Sequence, residues 1–376
     1  MKLKNIQAIA RKEFYHIIRD FRSLYLAFAI PLILILLFGY ALSLDVNNVT
    51  TVVVDYDKTD LSRDFIRHID ASPYFQVTPL DDTRDATEYL DHGRAMLALI
   101  IPPGWTKNLR ADRDAPLQVL IDGSDPNFGS TTAGYITGLV EQYNRRLLSA
   151  FLNRRGMDQI QPPVEARIRV WFNEDLESTN FIIPGIIAVI IMIVGAMLTS
   201  LVIAREYETG TMETIRSIPV GAGEFFIGKA LPYFFIGMTD VMVAVLMGQV
   251  LFGVIVKSNF WLLVLAASIY LAVALSLGLM ISVLTKSLLI ANVAAVLTTF
   301  LPSMLLSDFV FPVSNMPEVL RLITYIVPAR HFINILNGLY LRNLGFAYLW
   351  QSYLILTVMF LILATVTFRL LKREGL

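Results

Sequence analysis

Arg205, Glu206, Glu208 and Glu213 fall within nine residues, with Gly210 and Thr211 between them. Gly210 and Pro219 bound a short helix here, and Thr211 is placed to cap it. Glu213 and Glu224 fall near helix N-termini, where negative charge is favourable. A compact, charged, turn-bounded helix suits docking onto a partner; a solvated polar loop is the alternative. Just downstream, Gly223-Glu224-Phe225-Phe226-Ile227-Gly228-Lys229 has the G-x4-G-K spacing of a phosphate-binding loop. Ala230 follows where a magnesium-binding Ser or Thr is required, and no strand precedes the pattern. Nucleotide binding is therefore not expected in this chain, and its energy must come from a partner or an ion gradient. Asp240 lies about ten residues into an apolar run, where an acid is costly and often functional. It suits a proton or cation relay, or else it faces a polar cavity or pairs with another helix. The next acid in an apolar setting is Asp308, at the edge of its run. With no cysteine there is no disulfide framework, thiolate metal site or cysteine nucleophile. His16, His68, His92 and His331 lack metal-ligand spacing, and no histidine–acid cluster or activated nucleophile stands out.

The elements that must carry these groups follow from where charge is missing. Of 376 residues, 55% are hydrophobic and only 16% charged, against roughly 25% charged in soluble domains. That balance excludes a disordered chain, a basic nucleic-acid binder and a simple soluble enzyme. Residues 24–44, 181–204, 260–285, 288–307 and 348–368 are free of charge, and 231–256 carries only Asp240. About 20 residues of helix cross a hydrocarbon core of roughly 30 Å. Backbone in lipid must satisfy its own hydrogen bonds, so six spanning helices are expected.

Charge is unevenly divided. Residues 45–178 hold 14 Lys/Arg against 21 Asp/Glu, and the rest of the chain holds 17 against 10. The neutral total conceals an acidic domain inserted into a basic membrane body. With residues 1–23 placed in the cytoplasm, the cytoplasmic segments hold thirteen Lys/Arg and the short outer segments four. This bias puts both termini in the cytoplasm and residues 45–178 outside. A cleaved signal peptide is the rival account of the first 45 residues. An apolar run of 21 residues is too long for it, and Glu13 and Asp20 sit badly in its basic leader. Within 1–23, Ile6, Ile9, Phe14, Ile17, Ile18 and Phe21 recur at helical spacing opposite Arg11, Lys12, Arg19 and Arg22. This predicts an amphipathic helix in the cytoplasmic interface, or one docked on the protein's own surface.

Within 45–178, strands are expected at 51–56, 75–80, 95–102, 116–122 and 166–172, with helices at 60–70, 83–93, 104–112 and 130–155. Such alternation predicts an α/β domain with a mainly parallel sheet. Residues 309–343 are apolar but broken by Pro312, Pro317 and Pro328. They predict two short helices on or dipping into the outer leaflet, or an ordinary outer loop. Ser268, Ala272 and Ser276, beside Ala274, Gly278 and Ser282, repeat small residues every four positions, a pattern for close helix packing. Pro232 and Pro302 are candidate kinks.

The stretch RE-x-E-x-GT-x-E followed by SIPV resembles the signature of type-2 ABC transporter permeases, the membrane subunits of ATP-binding-cassette exporters. The basic amphipathic start, the six apolar runs, the large polar insert after the first and the segment FPVSNMPEVLRLITYIVPARHFINILNGLY are also similar, so the resemblance covers the whole chain. Tyr207 stands where the family often has arginine. The large first insert is similar to the bacterial drug-efflux branch. The resemblance implies a membrane all-α bundle of six transmembrane helices with an inserted extracytoplasmic α/β domain at 45–178. The cytoplasmic segment 205–219 would be a coupling helix, with Arg205, Glu206, Glu208, Gly210, Thr211 and Glu213 meeting an ATPase. The implied assembly has two cytoplasmic ATPase subunits, which bind the ATP and magnesium, and a second permease chain (identical or sister), with or without a periplasmic adaptor. It would export a hydrophobic or amphipathic compound across a bacterial inner membrane. No cofactor is expected in this chain. Two other classes stay open: an ion-coupled secondary transporter dependent on Asp240, and a membrane-anchored sensor or scaffold.

Overall fold

The computed structural model describes residues 2–19, 21–41, 48–111, 113–154, 171–173 and 177–375. The chain divides into two compact units, residues 44–169 and residues 1–43 with 170–376.

The first of these alternates strand and helix: β1 (Val49–Asp55), α3 (Asp60–Asp70), β2 (Phe75–Leu80), α4 (Thr83–Asp91), β3 (Leu97–Ile101), α5 (Trp105–Arg110), β4 (Gln118–Ile121) and α6 (Pro126–Arg154). The labels α1 and α2 belong to the helices Leu3–Arg19 and Phe21–Ala41 that precede them. The strand order is β2-β1-β3-β4. β1 runs parallel to both neighbours and β4 antiparallel to β3. The Val-rich β1 reads as a continuous apolar run because both faces are covered. Val49 and Val53 join Leu97, Leu99, Phe65, Ile69 and Tyr143 on one side, while Val52 and Val54 join Ala86, Ala98 and Ile100 on the other. Local chemistry sets the helix starts. Thr59 and Ser62 form a reciprocal capping box on α3, and Asp82 accepts from the Arg84 N–H at 3.2 Å on α4. Gly93, at φ 63°, follows the end of α4. Of the strand expected at 166–172, residues 166–170 lie outside the described residues, and Trp171 and Phe172 are not strand.

The other unit is helical: α1, α2, α7 (Thr179–Glu208), α8 (Thr211–Ser217), α9 (Ala222–Phe252), α10 (Phe260–Thr285), α11 (Leu288–Leu305), α12 (Glu318–Thr324), α13 (Pro328–Tyr340) and α14 (Phe346–Arg373). Among the described residues, α7, α9, α10, α11 and α14 are long and apolar enough to cross a membrane. The pair α12 and α13, bent by 80°, would make a sixth if counted as one span. The first expected span falls on the 21-residue helix α2, whose described apolar stretch, Pro31–Tyr40, is shorter than the five spans above. α7 forms the centre and is buried along most of its length. The small-residue stripe of α10 packs against it. A Cβ at Gly278 would collide with the Ala196 carbonyl and the Thr199 hydroxyl. Thr199 Oγ1 donates to the Leu275 carbonyl at 3.0 Å, and Ser282 Oγ accepts from the Ala204 N–H at 2.8 Å. These bonds satisfy polar groups where no water is available to do so.

α13 is not a surface loop. His331, Phe332, Ile333, Leu336 and Leu339 are buried, and Phe332 stacks on Tyr270 at 4.1 Å. Pro328 opens the helix at its first turn, where its missing N–H costs nothing. Pro232 and Pro302 lie inside α9 and α11 without ending them.

Candidate functional site

The site is built at one end of α7. α7 continues past its apolar run through Arg205, Glu206, Tyr207 and Glu208, and Thr209 ends it. Gly210 then takes φ 71°, a left-handed conformation that side chains rarely adopt, and reverses the chain into α8. The N-cap position of α8 is therefore Gly210. Thr211 does not cap it; its hydroxyl is turned back and donates to the Glu206 carboxylate, a charged acceptor. Met212 anchors α8 to the bundle, whereas Glu213 and Ile218 stay exposed.

The six signature residues therefore play unlike parts. Glu208 accepts from the Leu288 N–H at 2.7 Å, so its negative charge serves the start of α11. Arg205 lies against the His16 ring, 3.2 Å from Nδ1. Glu206 is buried and receives Lys229 Nζ at 2.5 Å and Lys12 Nζ at 2.9 Å. Lys229 also donates to Glu13 at 2.6 Å. Glu213 alone among the four charged residues shows an exposed side chain with no hydrogen bond or ion pair among the described residues.

The contacts of several residues near this turn were not foreseen from the sequence. Lys229, the lysine of the phosphate-loop pattern, is committed to two carboxylates and is only 1% exposed. Gly228 of the same pattern is a crossing point, since a Cβ there would come within 2.8 Å of Ile9 on α1. Glu224 accepts from the Lys2 N–H at 2.5 Å and from Asn5 at 2.6 Å, which fixes the beginning of α1 to the beginning of α9. α1 is thus docked on the protein, as one of the two sequence readings holds. Its Phe14, Tyr15 and Ile18 remain exposed.

A second cluster gathers around Glu374. Its carboxylate accepts from Lys286 at 2.6 Å, Tyr207 at 2.7 Å and Arg216 at 2.9 Å. Tyr207 thus ties the end of α7 to the residue that follows α14. The Lys286 hydrogen bond, followed by that of Tyr207, holds the Glu374 carboxyl below its ordinary value of 4.5. A carboxylate held low contributes stability above its unfolded value and loses it as pH falls through the folded one. Below about pH 4.5 this clasp on α8 should therefore loosen. Hydrogen exchange at residues 371–375 should rise there, and Glu374→Gln should raise it already at pH 7.

Asp240 lies in α9 at 6% exposure, with no hydrogen-bond partner among the described residues. Elsewhere in the helical unit, α2, α7 and α11 enclose a crevice of about 100 Å³ with an entirely apolar lining that includes Leu34, Phe38, Ile190, Phe300 and Met304.

The sequence from residue 21 to residue 369 matches the sequence model of the ABC-2 family transporter proteins. The chain belongs to the ABC-2 permease family. Membership makes it a transport subunit, and permeases of this family work with ATP-binding subunits. The probable multidrug ABC transporter permease YbhS of Escherichia coli K12 is 33% identical over 97% of this chain and 94% of its own length. The probable multidrug permease YbhR of the same strain is 28% identical over 92% of each. ABC transporter G family member 20 of Dictyostelium discoideum is 22% identical over 93% of this chain and 48% of its own length.

Proposed function

We propose that this ABC-2 permease exports a hydrophobic or amphipathic compound across a bacterial inner membrane, driven by two separate ATPase subunits that seat on α8. Two permease chains, identical or sister, form the conduit, with or without a periplasmic adaptor. α2, α7, α9, α10, α11 and α14 are its six spans, both termini are cytoplasmic, and residues 45–178 face the periplasm. The observation that carries this reading is the α7–Gly210–α8 turn, a short helix fixed by Met212 and presenting Glu213 and Ile218 outward. Multidrug transport belongs to the names of YbhS and YbhR, and the apolar crevice between α2, α7 and α11 suits cargo of that character. The exposed Phe14, Tyr15 and Ile18 of α1 suit a helix resting in the headgroup layer.

The decisive experiment is co-purification of the full chain with its ATPase, followed by vesicle transport. Glu213→Lys should cut the recovered ATPase at least tenfold while leaving the permease folded. Uphill transport by the permease in vesicles without any ATPase would defeat the reading.

Ion coupling through Asp240 makes the opposite prediction for another variant. In an ATP-driven permease Asp240→Asn should retain transport within about twofold, because the substitution keeps volume and polarity and removes only the charge. Abolished transport in Asp240→Asn vesicles that keep their ATPase would favour a relay.

A further inference from the structure

The helix α1 and the α7–α8 turn meet through one buried cation. Lys229 Nζ lies 2.6 Å from Glu13 Oε1 on α1 and 2.5 Å from Glu206 Oε1 at the end of α7. Glu13 and Glu206 are 4% and 6% exposed. The other oxygen of Glu206 takes the Thr211 hydroxyl, the first residue of α8, and Lys12 adds a second cation at the first oxygen. Four helices therefore share one hydrogen-bonded charge cluster. Charges in such a setting cannot separate cheaply, because each would be left buried and unpaired. α1 is also held to α9 in register by Gly228 against Ile9 and by Glu224 against Lys2 and Asn5. A displacement of α8 must pull Glu206, hence Lys229, hence Glu13.

We propose that Lys229 is a positioning residue for energy coupling: it locks α1 to the coupling turn, so that α1, α8 and the neighbouring ends of α7 and α9 move as one lever when the ATPases close. In this account α1 is a moving part of the transmission and not a passive anchor. The proposal rests on the ATP-driven reading above.

The test uses the complete permease–ATPase complex in vesicles and measures three quantities: ATPase recovered with the permease, KM and kcat for ATP, and cargo moved per ATP hydrolysed. Lys229→Gln removes the cation. Glu13→Gln removes only the charge that α1 offers to Lys229, leaves the Lys229–Glu206 and Lys12–Glu206 pairs intact and so covers the case in which the first variant fails to fold. The result expected for Glu13→Gln is a complex that keeps its ATPase and its KM for ATP but moves at least tenfold less cargo per ATP. Lys229→Arg, which keeps the charge and both acceptors in reach, should recover at least half of the parental ratio. A folded Glu13→Gln complex with the parental cargo-to-ATP ratio would overturn the proposal. A parent chain that never retains an ATPase would overturn the underlying reading, and is distinguished because that failure precedes any substitution.

Discussion

Lys229→Met should destabilise the permease by roughly 3–5 kcal/mol, the usual cost of removing one partner from a buried charge pair. Methionine matches the length of the lysine stem, so the loss comes from the charges left behind. Glu13 and Glu206 would face each other across the vacated position, with the exposed Lys12 on Glu206 as a remaining cation. The melting temperature in detergent should fall by several degrees. A second variant separates stability from specificity. Replacing Glu13, Lys229 and Glu206 together by Leu, Met and Leu should recover most of the lost stability, since apolar side chains of similar volume often substitute for a buried ionic cluster. If the triple variant melts no higher than Lys229→Met, the loss is one of packing and not of unpaired charge.

Gly278→Leu should yield almost no monodisperse protein. The first atom of any side chain at this position would strike the Ala196 carbonyl, which is backbone and has nowhere to move. The collision would push α10 from α7, break the Thr199–Leu275 bond and expose the Ser282 acceptor that serves Ile203 and Ala204. Overpacking of a well-filled interior commonly costs about 1–3 kcal/mol, and more where backbone opposes backbone. At least a tenfold drop in the monodisperse fraction on size exclusion is expected, with Gly278→Ala intermediate. Parental yield from Gly278→Leu would mean that α7 and α10 are not in contact there.

Much of this architecture was legible in the sequence because lipid and sheet impose local rules. The charge-free runs at 181–204, 260–285 and 288–307 became helices over nearly the same residues, and the Val-rich run at 51–56 became a strand within β1. Gly210 was readable as a turn because a left-handed residue has a residue-type preference. The pairing of Lys229 was not readable, because its partners lie 216 and 23 positions away and periodicity reports only a residue's own face. The same blindness made Gly228 and Lys229 look like part of a phosphate loop, when one glycine admits a neighbouring helix and the lysine neutralises two acids. Thr211 was misassigned for a related reason: its residue type fits a cap, and only the fold brings the Glu206 carboxylate near enough to take its hydroxyl. The burial of α13 was equally hidden, since three prolines mark interruption but not whether the interrupted chain sits in water or among helices.

The long separation between Glu13 and its cation also governs how the chain is made. A ribosome adds about 5–20 residues per second. Glu13 therefore waits roughly ten to forty seconds for Lys229, 216 positions later, to leave the ribosome. Over that interval α1 lacks the acceptor surface of α9 and Glu13 lacks the cation that holds it in the fold, and the exposed Phe14, Tyr15 and Ile18 need somewhere to rest. The lipid headgroup layer then acts as a temporary holder, and nascent chains stalled before Lys229 should display a first helix that proteases still reach.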